Sequence, residues 1–219
     1  VTYSVTVTNK SGLQQNVAIY IVDSSDNSNF SLVWLLKPIN NNGNAIFSWD
    51  ENDYGLGWGN TNGQIDIGVA FSQGQDPTPV FPNIAGGNNA LPIRYNNAGF
   101  FSGEPYSDKN ITDKLKVSTN SSFTVSDALT MGVALFIYKL PAIIMQGSPN
   151  MNYYFMISKL SYYLVVTDFK QGVVLPTMDS MYNSSISAHS MGKPVKIPFG
   201  AGAENLAYIL DGSLNFIAS

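Results

Sequence analysis

Three dense apolar and aromatic runs lie between Leu129 and Leu175, and they constrain the fold more than any other feature of the chain. They read LTMGVALFIYKL, MNYYFMISKLSYYLVV and DFKQGVVL. Each is rich in Val, Ile, Phe or Tyr, and turn-forming groups such as Gln146-Gly147-Ser148-Pro149 and Lys170-Gln171-Gly172 close them. Buried β-strands are the expectation. The stretch from Ala128 to Met145 is apolar enough to suggest a membrane span, but Lys139 and Pro141 interrupt it and Gly132 stands near its start. A helix crossing about 30 Å of hydrocarbon does not tolerate that combination, so two adjacent buried strands are expected instead.

The rest of the chain supports the same class. TYSVTVT at residues 2–8 alternates, with Tyr3, Val5 and Val7 on one face and Thr2, Ser4, Thr6 and Thr8 on the other. Val17 to Val22 and Ser31 to Lys37 read as further strands, the latter stopped by Pro38, and Ala45 to Trp49 as another. Gln64 to Ser72 gives the clearest alternation, with Ile65, Ile67, Val69 and Phe71 facing in. Gln73 to Pro92 reads as a long ordered loop, and Glu104 to Asp113 as polar chain with room for a helical turn. Short strands are predicted at Ile93 to Tyr95, Lys114 to Ser118, Ser122 to Val125, Pro194 to Phe199, Leu206 to Leu210 and Ser213 to Ile217. Asp211-Gly212 is the hairpin signal between the last two, and Met178 to Met191 is a Ser-rich loop. No helical period is sustained. The prediction is one all-β domain over residues 1–219, an antiparallel β-sandwich of jelly-roll or Greek-key type with long Gly/Asn/Pro-rich loops.

Charge narrows the partners. Charged residues make up 12% of the chain, about half the usual share, and the net charge is −4 with no cluster of the eleven Lys and Arg residues. A nucleic-acid surface needs a basic stripe to displace phosphate counterions, so nucleic acid is excluded as a partner. A weakly charged surface also repels its own copies weakly, which favours self-association. The chain has no cysteine, so disulfides, thiolate catalysis and Cys-based metal sites are impossible.

Catalytic patterns are missing. His189 stands alone in its loop, and no G-x-S-x-G elbow presents a nucleophile. The turn Trp49-Asp50-Glu51-Asn52-Asp53-Tyr54-Gly55 partly matches a calcium loop, but Thr61 stands where that motif needs a bidentate Glu. Asp50, Glu51 and Asp53 remain the candidate ligands of an irregular calcium site. Otherwise no cofactor is expected. Gly55-Leu56-Gly57-Trp58-Gly59 lacks the lysine and helix of a phosphate loop and reads as a bulged, tightly turned strand. Trp34, Trp58 and Tyr54 are candidates for a sugar-stacking platform, and the same residues equally describe an aromatic core.

Several segments then stand in a familiar order: YSVTVTN, SLVWLLKP, FSWDENDYGLGW, GVAFSQ, IRYNNAGF, SPNMN and YYLVVTDFKQGVVL. In this series the chain resembles the RhiA-like family of bacterial proteins across almost its whole length. It departs from the family pattern at Gly172-Val173 and in a longer segment from Met178 to Met191. The resemblance implies no enzyme, a surface or community-living context, and a chain from which no ordinary signal peptide was removed.

The leading expectation is a non-enzymatic structural protein, extracellular or at the cell surface, that self-associates into a filament or ordered assembly. Edge pairing through Val1, Thr2, Tyr3, Val5 and Val7 of the first strand is the expected route. A carbohydrate-binding module is the alternative, and a membrane-active β protein inserting a hairpin such as Ala128 to Met145 is the second alternative.

Overall fold

The computed structural model describes residues 1–83, 85–176, 191–200 and 202–219. In chain order the strands are β1 (Thr2–Asn9), β2 (Gln15–Asp23), β3 (Asn29–Ser31), β4 (Leu35–Ile39), β5 (Asn44–Asp50), β6 (Tyr54–Thr61), β7 (Phe71–Gln73), β8 (Thr78–Val80) and β9 (Ala90–Asn96). They continue with β10 (Gly99–Ser102), β11 (Lys114–Thr119), β12 (Met131–Ile137), β13 (Leu140–Gln146), β14 (Asn152–Met156), β15 (Leu160–Val166), β16 (Val195–Ile197), β17 (Asn205–Leu210) and β18 (Phe216–Ala218). One 3-10 turn, Ile157–Lys159, separates β14 from β15. The fold is all-β, as expected, and built from four sheets in a sandwich-like arrangement: β18-β17-β1-β5, β10-β9-β11-β14, β3-β13-β12-β6-β7 with β8 also on β6, and β16-β15-β2-β4. Pairing is mostly antiparallel. β1 with β17 and β9 with β11 are the parallel exceptions.

The hairpin of β12 and β13 sits at the centre. Val133, Leu135 and Ile137 of β12 join a buried cluster that draws on all four sheets, including Val5, Ile19, Leu91 and Leu164. The opposite face, with Ala134 and Phe136, is covered by Leu32, Ile65, Phe71 and Val174. A strand buried on both faces has no reason to alternate, which is why this run is continuously apolar. Tyr138 and Lys139 form the hairpin turn with φ of 54° and 62°, the geometry that matches strand twist in two-residue turns. Among the described residues no helix is long and apolar enough to cross a membrane.

Glycines place β6 beside this hairpin. Gly55, Gly57 and Gly59 pair with Phe136, Ala134 and Gly132 without a register shift, so the expected bulge is absent and the strand is regular. A Cβ on Gly59 would lie 2.3 Å from the Ser72 carbonyl and 2.4 Å from the Phe71 ring. The glycines therefore let rings and a neighbouring strand lie directly on the β6 backbone.

Other expectations change. Gln64 to Ser72 forms no continuous strand, and only Phe71–Gln73 is laddered. Its backbone donors go instead to Gln146 Oε1 from Ile65, Asn62 Oδ1 from Ala70 and the Val174 carbonyl from Gly68. The predicted strand from Ser31 to Lys37 is interrupted, because Trp34 turns into the core and Leu32 bridges to Val174. Pro38 lies inside β4, which it can do because β4 is a sheet edge. Residues 122–125 form a turn held by Asp127 on Thr124 rather than a strand. Residues 104–113 hold a turn beside Asp108 and no helix. The second apolar run divides at the 3-10 turn, and DFKQGVVL contributes isolated bridges from Val173 and Val174 rather than a strand. The loop at residues 178–191 falls, except for Met191, outside the described residues, as does His189.

Candidate functional site

A cavity of about 370 Å³ opens where β1, the β5–β6 turn, the 3-10 turn, β15 and β16 meet, with Tyr3, Glu51, Tyr54, Tyr162, Lys196 and Phe199 on its walls. Strand pairing delivers these residues. Tyr3 lies opposite Trp49 in the β1–β5 ladder, and Tyr162 lies opposite Ile197 in the β15–β16 ladder. Glu51 is fixed by its turn: Asp50 Oδ1 accepts the Asn52 N–H at 2.9 Å, and the Glu51 N–H donates to the Val1 carbonyl at 3.1 Å.

Beneath the cavity the rings form one contiguous set. Tyr3 stacks on Phe199, and Trp49 meets Tyr162 at 5.4 Å and Phe199 at 5.5 Å between centroids. Trp34 crosses Trp49 edge-on at 5.0 Å and anchors itself by donating from Nε1 to the Ile137 carbonyl at 2.9 Å. Trp49 Nε1 lies close enough to the Tyr162 phenol to favour its ionisation, yet outside hydrogen-bond geometry, and it is buried without a partner.

Burial is the main cause that raises the phenols. Tyr3 is pushed up to about 12 by burial, then by the hydrogen-bonding and negative charge of Glu51 and by the charge of Glu204. Tyr54 and Tyr162 are also raised, first by burial; neighbouring phenols and Glu51 act in the same direction, with Asp113 adding to the effect on Tyr54. All three are therefore neutral hydroxyls at ordinary pH. They can donate to a ligand, and the half-buried Tyr3 adds part of its ring to the wall.

Of the residues singled out from sequence, Tyr3, Tyr54 and Glu51 reach this cavity. The indoles do not form a platform: Trp34, Trp49 and Trp58 are 0%, 1% and 8% exposed. Trp58 packs against Phe100 at 5.7 Å between centroids. Asp50, Glu51 and Asp53 share a turn without converging, since Asp53 faces a second hollow with Gln73, Asp76 and Lys139. Among the described residues no three His, Asp or Glu side chains are grouped to hold a metal. Val5 and Val7 are fully buried, and β1 is paired on both sides, by β17 and β5. It therefore offers no open edge, and of the five assembly candidates Tyr3 serves the cavity instead. Tyr162, Lys196 and Phe199 carried no sequence signal of a site, because only the pairing of distant strands brings them together.

A family model described as RhiA matches residues 1–191. No curated protein and no solved structure matches the chain.

Proposed function

The chain belongs to the RhiA family, and for it we propose a non-enzymatic binding protein that holds a small ligand in the aromatic cavity. The observation that carries this reading is the convergence of Tyr3, Tyr54, Tyr162 and Phe199 with one carboxylate, Glu51, around a single hollow. Rings set on paired strands are pre-organised, so a ligand gains contact area without ordering its site first. Neutral phenols suit hydrogen bonding better than proton transfer at neutral pH. A carbohydrate has no exposed indole face to stack on here, and would have to use these tyrosines.

Trp49 lies against three of the lining rings, so ligand entry should change its fluorescence. A panel of small sugars, alcohols, amines and acids, titrated against the protein and its Phe199→Ala variant, tests the reading. A ligand that binds the parent and loses affinity in the variant supports it. If no compound binds, or every binder treats the variant as the parent, the cavity is not the site.

Self-association remains a second reading, moved from the edge of β1 to a sheet face. The outer face of β18-β17-β1-β5 presents Ile46, Ile209 and Ile217 at 56%, 36% and 51% exposure, beside Ser4, Thr6 and Thr8. Between Asn44 and Ser48, Ser4 and Thr8, and Asn205 and Ile209 this face carries no charge. An uncharged sheet face with exposed isoleucines lacks the usual protection against association. Such an assembly fits an extracellular or surface location. Sedimentation of the parent and of an Ile209→Lys, Ile217→Lys pair checks it: assembly in the parent alone is the expected result.

A further inference from the structure

We infer that the cavity selects a small organic ammonium ion, with a trimethylammonium group as the best fit. This rests on the reading of the cavity as a ligand site and names its ligand class. Glu51 stands at the wall with no cation paired to it, the ion pair among the described residues being Lys116 with Asp108. A carboxylate left with uncompensated charge beside aromatic rings attracts a cation twice, through its own charge and through the negative ring faces. The surroundings strengthen that field. Glu51 and Glu204 act on the Tyr3 phenol, and Glu51 and Asp113 on Tyr54, and all of these charged neighbours are carboxylates.

Lys196 is the opposing charge. It lines the cavity from β16 but is exposed to solvent, so its ammonium reaches water and is screened there. The volume of about 370 Å³ lies at the small end of ligand pockets, which span about 300–1,000 Å³. It suits a compact ion better than an extended chain. A neutral sugar would leave the Glu51 charge uncompensated, whereas a methylated ammonium compensates it and sets its methyls against the rings of Tyr3 and Phe199.

The test compares choline with its neutral carbon isostere, in which a quaternary carbon replaces the nitrogen, by calorimetry on the full chain. Choline is expected to bind at least about tenfold more tightly than the isostere, because cation–π attraction and a charge partner together contribute on the order of one decade of affinity. Glu51→Gln should lower choline affinity about tenfold and leave the isostere unchanged, while Lys196→Ala should keep or raise choline affinity. A thermal melt confirms that each variant is folded. Equal binding of choline and isostere, with Glu51→Gln altering neither, overturns the cation class but leaves a ligand-binding cavity. Failure of both, with a sugar or acid binding in a way that Phe199→Ala abolishes, does the same. If nothing binds at all, both readings fall. Vesicles of phosphatidylcholine and of phosphatidylglycerol separate two sources of the group: retention on phosphatidylcholine alone assigns a lipid headgroup, and choline binding without retention assigns a free ion.

Discussion

Tyr3 and Phe199 stack ring on ring, with centroids 4.3 Å apart and planes 20° apart, although one comes from β1 and the other follows β16. The stack closes one wall of the cavity and ties two sheets together. Phe199 is half-buried, so Phe199→Ala should cost about 1–2 kcal/mol in urea unfolding, less than a fully buried Phe and including the lost ring pair. The fold should survive while ligand binding is lost.

Alkaline pH should destabilise the protein in a defined window. The Tyr3 phenol, with an ordinary value of 10.0, is held up to about 12 in the folded chain, first by burial and then by Glu51. The unfolded chain therefore releases this proton first. The contribution is fully present below about pH 10 and is lost as pH rises towards 12. Melting temperatures measured stepwise across that range should fall less steeply in Tyr3→Phe than in the parent, which separates this phenol from lysines titrating nearby.

Gly59→Ala should be disproportionately harmful for so small a change. The new methyl would meet the Ser72 carbonyl at 2.3 Å and the Phe71 ring at 2.4 Å, and a carbonyl on a paired strand cannot retreat freely. Overpacking of this kind costs about 1–3 kcal/mol. Gly63→Ala, where an added methyl meets nothing within 4 Å, is the matched control and should be near neutral. Urea midpoints of the two variants give the comparison.

Asp23 is buried, and its carboxylate accepts the N–H of Met156 at 2.9 Å as well as the N–H and hydroxyl of Ser25 at 2.9 Å and 2.5 Å. It joins the end of β2 to the end of β14. Asp23→Ala leaves those donors unpaired, at a cost of about 3 kcal/mol. Asp26→Ala removes bonds confined to one exposed loop, to Ser28, and should cost far less. Hydrogen exchange at the Met156 amide should rise only in the first variant.

Sequence pattern reported facing well and pairing poorly. In Gln64 to Ser72, Ile65 and Phe71 are buried while Gln64, Asp66 and Ser72 are exposed, as the alternation implied. Yet Gly68 has a φ of +82° and the donors of this segment go mainly to side chains and loop carbonyls. A period of two can survive in chain that is not laddered, so alternation alone does not make a strand. The apolar hairpin of β12 and β13 was legible because burial on both faces leaves a composition signal that needs no partner to be named. The cavity was legible only in fragments: Tyr3 stood in a strand, Glu51 in an acidic turn, and Tyr54 among possible stacking residues. Tyr162 and Phe199 gave no sign, since their meeting depends on which strands pair and in what register.

The parallel pairing of β1 with β17 sets Val5 beside Leu206 and Val7 beside Tyr208. Ser4 and its partner Asn205 are 201 residues apart, so a chain made from its N-terminus produces β1 well before β17. Until β17 emerges, the β17-facing side of β1 has hydrogen-bonding groups without their native partners, and contacts so distant in sequence form slowly. The nascent protein therefore passes through a stage with an exposed, Thr-rich strand edge on the ribosome. A chaperone or a neighbouring copy has its best opportunity to bind during that interval, before the sheet closes and Tyr3 reaches its wall of the cavity.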